Sequence, residues 1–494
     1  MIGKTEGLSG DSLQNSAIYP GQEYTCVIES LLWSGEGLAH IEGKEISVAG
    51  ALPGQQVRIV ITRMHGERPE SKVLQVMRKA KDEGPPRCDH VHDAASASWQ
   101  CIPYNKQVAL KEGMVRDALT YGVPVDEQLR MTLPGRVLRV IPSPHVFYYR
   151  NKIELNFGYE NMRVEESGGR RKFFDENPNI GFHQPGEWST IVPVTDCHLY
   201  DEQLAVLLNE VRRFVHDTRL PVYNPKTHKG ILRTLVLRRG LNTGEQMICF
   251  TVNAKKKDLE PLFQHFMRFT GRPGLVSLLL VENTGVNERP DHPKIHCLHG
   301  KPSVTERLFD LEFEISPFSF FQTNTFAAEK LYQAIVEQAD INLRDIVLDA
   351  YCGMGTIGQY LARFCQKVVG IESHPGSIED ALRSSSKNKV ANISFYKGRT
   401  EQVLAHQLPP GGKYAFDVMV LDPPRAGLHP KALQAVLAHR PRQVVYISCN
   451  LATLTRDMGG FLKGGYELRS VQPVDMFPHT VHIETVTVLQ RKDS

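Results

Sequence analysis

The spacing of apolar and polar positions changes along the chain and predicts three folded parts. From Tyr24 to Met77, short apolar runs alternate with polar residues and glycines at the two-residue period of strands. Strand-like runs continue to about residue 315 around one amphipathic helical pattern, Gln107 to Leu119. After Asn324 helical and strand patterns alternate, as in an open α/β domain with mainly parallel strands. We therefore predict a multidomain chain: a loose tail (1–17), a small β-barrel (18–78), a central β-rich α+β domain (79–315) and a Rossmann-like α/β domain (316–494).

In the first folded part, the sequence pattern predicts five strands with glycines between them: TCVIES, GLAHIEG, EISVAGA, QVRIVITRM and KVLQVM. Five short strands of this kind are typical of an oligonucleotide-binding barrel. A barrel used only for folding or for dimer contacts is the alternative. The helix 107–119 of the next part is a candidate for packing on the C-terminal domain.

One stretch, Asp345 to Glu372, predicts a strand, a glycine-rich turn, a helix and a second strand. Gly353, Gly355 and Gly358 have the spacing of a dinucleotide fingerprint, and Glu372 stands where a carboxylate would accept ribose hydroxyls. The stretch therefore predicts a cofactor site. It does not choose between a nicotinamide dinucleotide and S-adenosylmethionine.

Two later strands end in residues with chemical potential, and ligands bind at strand ends in such sheets. The run Val418–Leu421 ends at Asp422 in the sequence DPPR, and the run Val444–Ser448 ends at Cys449. A helical pattern follows Cys449, and its N-terminal field is expected to lower the pKa of the thiol. We interpret Cys449 as a candidate nucleophile, with a buried structural cysteine as the alternative.

Composition narrows the class of protein only a little. The 494 residues are 41% apolar and 23% charged, with a net charge of +3. RNA binding must therefore come from local basic patches, for which we consider Lys226–Arg239 (with Arg233, Arg238 and Arg239) and Arg170–Phe174, near Tyr148 and Tyr149. We expect a cytoplasmic protein with reduced thiols, because no secretion signal or membrane-length apolar run is seen and the nine cysteines are irregularly spaced.

Four motifs in order carry a resemblance to a known family: LDAYCGMGTIG, LDPPRAGLHP, YISCNLATLTRDM and DMFPHTVHIET. Two upstream segments, YRNKIEL and FFQTNTFAAEKLY, fit the same pattern. The chain resembles the RNA uracil-5-methyltransferase family over about residues 20–490. Its first barrel resembles a TRAM domain, which makes it more similar to the 23S rRNA enzymes than to the tRNA enzyme that lacks one.

The resemblance implies a class I methyltransferase domain, S-adenosylmethionine as cofactor, RNA as partner and a monomeric enzyme. It implies that Cys449 adds to C6 of uracil and that Glu484 later removes the C5 proton. It also implies cofactor contacts from Gln322, Tyr351, Glu372 and Asp422. A tRNA enzyme, a non-catalytic RNA-binding protein and a nicotinamide dehydrogenase are the alternatives.

Many members of the family hold an iron–sulfur cluster through a C-x5-C-x2-C run and a later cysteine. Here Cys88 and Cys197 remain, while Ala94 and Ala97 occupy the two middle positions. Since alanine offers no ligand atom, the cluster is expected to be absent. The nearby Cys101, His90 and His92 are the residues that could substitute.

Overall fold

The computed structural model describes residues 18–66, 68–91, 97–167, 170–184, 187–287 and 293–492. The chain divides into two compact units, Met1–Glu83 and Gly84–Ser494. The predicted tail 1–17 and the residues Ala94 and His92 lie outside the described residues. The predicted boundary near residue 315 stays a prediction, since it falls inside the second unit. No helix in the described part is long and apolar enough to cross a membrane.

The N-terminal unit is a six-stranded sheet in the order β1-β5-β6-β4-β3-β2. Its strands are β1 (Glu23–Val27), β2 (Ser30–Leu31), β3 (Gly37–Ile41), β4 (Lys44–Ala49), β5 (Gln56–His65) and β6 (Arg68–Arg78). Alternate apolar residues such as Val57, Ile59 and Ile61 fill its core. Each of the five predicted strands has a counterpart, and the added β2 is too short to leave a periodic pattern.

The second unit begins with a seven-stranded sheet in the order β13-β12-β11-β10-β7-β8-β9. Its strands are β7 (Lys152–Ser167), β8 (Arg170–Gln184), β9 (Glu187–Pro193), β10 (Leu232–Arg239), β11 (Gln246–Val252), β12 (Leu275–Glu282) and β13 (Lys294–Gly300). Four phenylalanines pack together on this sheet, with ring centroids of Phe250 and Phe266 4.8 Å apart and those of Phe214 and Phe266 5.0 Å apart. Phe269 completes the group.

The prediction of a cationic, RNA-facing strand over Lys226–Arg239 is wrong for β10. Residues Leu232 to Arg238 are all buried, and the arginines bind the protein's own carbonyl groups. Arg233 donates to the carbonyls of Asn283 and Asn287 at 2.9 and 2.8 Å, and Arg238 donates to that of Pro317 at 3.0 Å. Arg239 pairs with Asp201 at 2.6 Å. The guanidinium groups of Arg233 and Arg238 therefore donate to buried backbone carbonyl groups, and that of Arg239 pairs with a carboxylate, so the three do not form an RNA-binding face.

A two-stranded hairpin leads into a second seven-stranded sheet, in the order β18-β17-β16-β19-β20-β22-β21. The hairpin is β14 (Val304–Leu308) and β15 (Leu311–Ile315). The sheet strands are β16 (Ile346–Ala350), β17 (Lys367–Glu372), β18 (Ile393–Lys397), β19 (Val418–Leu421), β20 (Gln443–Ser448), β21 (Tyr466–Val474) and β22 (Glu484–Arg491). β16 to β20 pair in parallel, while β22 is antiparallel to both β20 and β21.

Ten helices accompany the strands of the second unit in its described residues. They are α1 (Tyr104–Gly122), α2 (Glu127–Arg130), α3 (Leu204–Thr218), α4 (Lys256–Phe266), α5 (Thr325–Gln338), α6 (Thr356–Leu361), α7 (Pro375–Lys387), α8 (Thr400–Gln402), α9 (Pro430–His439) and α10 (Leu451–Lys463). The predicted helix 107–119 is the interior of α1. This helix packs against α10, although the chain places it before the central sheet.

Candidate active site

The parallel strands of the second sheet deliver their carboxyl ends to one edge. The sheet order reverses between β16 and β19, which run side by side with Ala350 opposite Leu421. Ligands bind at such a reversal in open α/β sheets, because the loops that follow the two strands diverge and leave a crevice. The predicted site residues Tyr351, Glu372 and Asp422 all follow or end strands at this edge.

The loop between β16 and α6 is built for close approach of a ligand to the backbone. Tyr351, Gly353 and Gly355 have φ of 64°, 56° and 76°, the left-handed region that glycine adopts easily and tyrosine does not. The Glu372 carboxylate accepts from the backbone N–H of Gly353 at 3.1 Å and from that of His374 at 2.7 Å. Glu372 therefore fixes the loop as well as presenting an acid at the end of β17.

Two of the fingerprint glycines are required by their neighbours. A Cβ atom on Gly355 would lie 2.9 Å from the ring of Phe395, and one on Gly358 would lie 2.7 Å from Oδ2 of Asp349. Gly358 thus lets the first helical turn pass directly over the Asp349 carboxyl group. The spacing of the three glycines predicted this turn, and the contacts give its physical reason.

Asp349 is a buried acid that the predicted site residues did not include. Burial and the neighbouring Asp422 raise its pKa to about 8, and the nearby backbone of Gly358 opposes the shift only in part. Neither carboxylate oxygen has a hydrogen bond of ordinary geometry within the described residues. Burial also raises the pKa of Asp422 to about 7. An unsatisfied acid at a strand-end crevice, as Asp349 is, can hydrogen-bond the hydroxyl or amino groups of a ligand.

Tyr351 and Gln322 flank this crevice less directly. Burial raises the pKa of the Tyr351 phenol to about 12, and the phenol hydrogen-bonds the side chain of Thr400. Gln322 is half-buried in the loop before α5, where its carbonyl accepts from Nδ2 of Asn151 at 2.8 Å. The assignment of both to the cofactor still rests on the resemblance.

Cys449 and Glu484 are brought together by the antiparallel pairing of β20 with β22. Ser448 lies directly opposite Thr485, so Cys449, the residue after β20, and Glu484, the first residue of β22, lie at the same end of this ladder. Oγ1 of Thr485 donates to the Ser448 carbonyl at 3.3 Å and fixes this register. Glu484 is 6% exposed and Cys449 is half-buried, which leaves the thiol open to a substrate.

The expectation that the following helix lowers the pKa of Cys449 is wrong. Burial, followed by the charge of Glu484, raises that pKa to about 11, and only Arg425 acts against them by its charge and a hydrogen bond. α10 starts at Leu451 with Asn450 as its cap, so Cys449 lies outside the first turn, where the helix field is strongest. Asn450 instead holds the loop of Arg425, by donating from Nδ2 to the Arg425 carbonyl at 3.0 Å.

The surroundings of Glu484 disfavour its charged form. Burial, and next the charge of Asp422, raise its pKa well above the ordinary value, while Arg425 lowers it. Two acids and a thiol therefore share one small region with a single guanidinium group. Their titrations are coupled, since ionising one raises the pKa of the others.

Helix α1 holds the segment that leads into Glu484. Nζ of Lys111 pairs with Oδ1 of Asp475 at 2.7 Å, with both side chains fully buried, and donates to the Phe477 carbonyl at 3.0 Å. Oε1 of Gln107 accepts from the backbone N–H of His479 at 2.7 Å. His479 has a φ of 67°. Sequence reasoning missed these contacts, because Lys111 and Gln107 look like ordinary polar residues of an amphipathic helix.

Cys88 and Cys197 do lie together, as the degenerate cluster motif suggested. Together with His90 they form a buried group whose ligand atoms are all within 4.8 Å of one another. Two thiolates do not fit a four-iron cluster, which needs four. Cys101 is not in this group, and its thiol donates to the Ser98 carbonyl at 3.4 Å.

Comparison with known proteins agrees with this geometry. A profile of the family tRNA (Uracil-5-)-methyltransferase matches residues 299–492. An RNA methyltransferase of Gloeobacter violaceus is 35% identical, covering 98% of this chain and 99% of the relative. An RNA methyltransferase of Clostridium acetobutylicum is 33% identical, covering 94% of this chain and 97% of the relative. The crystal structure of Pyrococcus abyssi tRNA (uracil-54, C5)-methyltransferase with S-adenosyl-L-homocysteine is 27% identical, with a TM-score of 0.70, and the match covers 94% of this chain and 99% of that one.

The parallel sheet, the glycine loop and the strand-end acids define a methyltransferase that uses S-adenosylmethionine. Within that class, the chain belongs to the RNA uracil-5-methyltransferase family.

Proposed function

We propose that this enzyme methylates C5 of a specific uridine in 23S rRNA through a covalent adduct between Cys449 and C6 of the base. The observation that supports the mechanism is the pairing of Ser448 with Thr485, because Cys449 and Glu484 adjoin this pair at the same end of the ladder and the Glu484 charge acts on the thiol. A nucleophile and a base on the same side of a flat ring are what addition and later proton removal require.

The residues act in a definite order in this proposal. The Cys449 sulfur bonds to C6, and the electron pair of the C5–C6 double bond moves toward the O4 oxygen, which makes C5 electron-rich. S-adenosylmethionine, when bound, supplies the methyl group for C5. The Glu484 carboxylate then takes the C5 proton, the double bond reforms and the sulfur leaves as thiolate. Arg425, beside Cys449, stabilises the thiolate at both ends of the cycle.

Cofactor binding is assigned to the crevice between β16 and β19. Glu372 would accept ribose hydroxyls, Asp349 offers two carboxylate oxygens without a hydrogen-bond partner among the described residues, and Asp422 lies near it at the end of β19. Gln322 and Tyr351 complete the proposed set. The target base must leave its stack to reach the thiol, which is half-buried.

The choice of 23S rRNA rests on the likeness of the N-terminal β unit to TRAM domains. A tRNA substrate is the second candidate, favoured by the similarity to the Pyrococcus tRNA enzyme. That match covers 94% of this chain, so it extends into the N-terminal unit. The enzyme is proposed to act as a monomer.

RNA carrying 5-fluorouridine tests the covalent step. Fluorine at C5 cannot be removed as a proton, so the adduct should persist in a denaturing gel for the parent and be absent for Cys449→Ala. Cys297→Ala, at an exposed cysteine of β13, is the matched control and should still form the adduct. An adduct formed by Cys449→Ala would overturn the assignment.

The RNA class is tested with transcripts and cellular RNA. Labelled methyl groups should enter 23S rRNA from cells that lack this protein, and tRNA from the same cells should stay unlabelled. Label in tRNA alone would replace the rRNA proposal with the second candidate and leave the chemistry intact.

A further inference from the structure

The buried group of Cys88, His90 and Cys197 has no role in the methyl transfer described above. Their side chains are 2%, 4% and 3% exposed, and one ligand atom from each lies within 4.8 Å of the other two. Cysteine sulfur and imidazole nitrogen in a buried group form a donor set that zinc prefers. A tetrahedral zinc ion separates such ligand atoms by roughly 3.5 Å, so only a small contraction is needed.

His90 supplies the second, independent observation. Its Nε2 atom is buried and has no hydrogen-bond partner among the described residues. The ring also hydrogen-bonds the backbone of Asp196. A buried ring that is anchored on one side and unsatisfied on the other is typical of a metal-binding histidine.

The sulfur of Cys88 accepts two hydrogen bonds from the protein. Nε2 of Gln100 and the backbone N–H of His198 each donate to it at 3.3 Å. Donors of this kind surround metal-bound sulfur in proteins and orient it.

We propose that Cys88, His90 and Cys197 bind one zinc ion, in place of the iron–sulfur cluster that the motif of the family would hold. Zinc displaces the thiol protons to solvent and takes two thiolates and one imidazole, and a water completes the tetrahedron. Alanine at position 97 removes a thiolate that a cluster would need, but a single ion does not need it.

The ion would join two parts of the chain that support the active site. Cys197 lies in a loop whose next residues, His198 and Leu199, accept from the backbone N–H groups of Tyr148 and Arg150 at 2.7 and 2.9 Å. Cys88 leads toward Trp99, whose backbone N–H donates to the His479 carbonyl at 3.0 Å. The site is therefore structural, and its loss should loosen the segment before Glu484.

Metal analysis of the full chain tests the proposal directly. Protein expressed with both zinc and iron available should carry about one zinc per chain and no acid-labile sulfide. Cys88→Ser, His90→Ala and Cys197→Ser should each reduce the zinc content at least tenfold, while Cys101→Ala, a buried neighbour outside the group, should keep it. Retained binding of S-adenosylmethionine shows that each variant is folded.

Cobalt gives a readout of coordination that does not depend on activity. Metal-free parent titrated with Co²⁺ should develop thiolate-to-cobalt charge transfer and the intense visible bands of a tetrahedral site, and both should be lost in Cys197→Ser. Zinc should also raise the melting temperature of the parent but not of His90→Ala. Stoichiometric iron with sulfide, a Cys88–Cys197 disulfide in freshly purified protein, or parent protein without zinc would each overturn the proposal.

Discussion

The Cys449 thiol begins its reaction in an unreactive form. With a pKa of about 11 it is almost entirely protonated near neutral pH, and the pKa of the neighbouring acid, Glu484, is raised as well. The thiolate must form before addition, and the carboxylate must form before proton removal. Both populations grow as the pH rises, so the two requirements act in the same direction.

The rate of adduct formation should therefore rise with pH, by about tenfold per unit while the thiol predominates. Arg425 is the group that lowers the pKa of Cys449, so Arg425→Ala should slow the step at neutral pH and move the profile to higher pH. Arg425→Lys keeps a positive charge, so its rate of adduct formation at neutral pH should lie between those of the parent and Arg425→Ala. Single-turnover rates at constant ionic strength would show this. An unshifted profile for Arg425→Ala would remove the guanidinium from thiol activation.

Glu484→Gln should separate the two halves of the cycle. Glutamine has nearly the same shape but cannot accept the C5 proton, and elimination cannot begin until that proton leaves. A covalent enzyme–RNA species that carries the labelled methyl group should therefore accumulate and survive a denaturing gel. Turnover of Glu484→Gln at the parental rate would mean that another group is the base.

Glu372→Ala should weaken S-adenosylmethionine binding far more than RNA binding. Loss of two hydrogen bonds to a charged acceptor costs on the order of 3 kcal/mol, or roughly a hundredfold in affinity. The contacts to Gly353 and His374 would be lost as well, so the loop should loosen. Glu401→Ala, at a nearby partly exposed acid, is a suitable control for titration calorimetry. Equal cofactor affinity in the two variants would place the ribose elsewhere.

At the scale of elements, α1 acts as a brace for the segment between β21 and β22. It precedes the central sheet in sequence, yet its buried polar residues contact Asp475, Phe477 and His479. A buried lysine pays a large desolvation cost, and here burial lowers its pKa although Asp475 opposes the shift. Such a pair adds little net stability but fixes which way the two elements meet.

Lys111→Met should destabilise the protein by about 3–5 kcal/mol, because it leaves Asp475 buried without its cation. The double variant Lys111→Met, Asp475→Leu should recover much of that loss in urea unfolding. It should still turn over slowly, since the segment before Glu484 has then lost the hydrogen bond from Lys111 to the Phe477 carbonyl. Lys463→Met, at an exposed lysine of α10, is the control and should change little. A double variant less stable than the single one would contradict this account.

At the scale of the whole molecule, each compact unit has its own apolar core. The core of the N-terminal unit is drawn from residues between Ile18 and Ile61, while the cores of the second unit use residues from Cys88 onward. A chain that begins at Gly84 should therefore fold and bind S-adenosylmethionine with unchanged affinity. If the N-terminal sheet contacts RNA as proposed, the shortened chain should bind RNA at least tenfold more weakly, with a shallower dependence on salt. Unchanged RNA affinity would assign that sheet another role.

Local patterns were enough to predict most strands and the glycine loop. The runs at β16, β17, β19 and β20 are short and apolar, and acids, glycines or cysteine mark their ends. These two signals predicted the strand ends to within about two residues. The facing of Cys449 and Glu484 could be expected only through the family resemblance. Nothing in the local sequence says that β22 enters between β20 and β21.

The errors concern charge and distance along the chain. Arg233 and Arg238 were predicted to form one cationic face. The sequence cannot show that they donate hydrogen bonds to carbonyl groups about 50 and 80 residues later in the chain. The helix field at Cys449 was overestimated because burial, which depends on tertiary packing, outweighs it. Lys111 and Asp475 are 364 residues apart, and a helical lysine gives no sign that it is buried.

The position of β22 also sets when the enzyme can become active during its own synthesis. β22 is the last described strand in sequence, yet it is an interior strand that pairs with β20 on one side and β21 on the other. A nascent chain that has not yet released it has two open strand edges and no Glu484 beside its cysteine. In the proposed mechanism, an emerging polypeptide that lacks residue 484 therefore has no base to complete the methylation cycle.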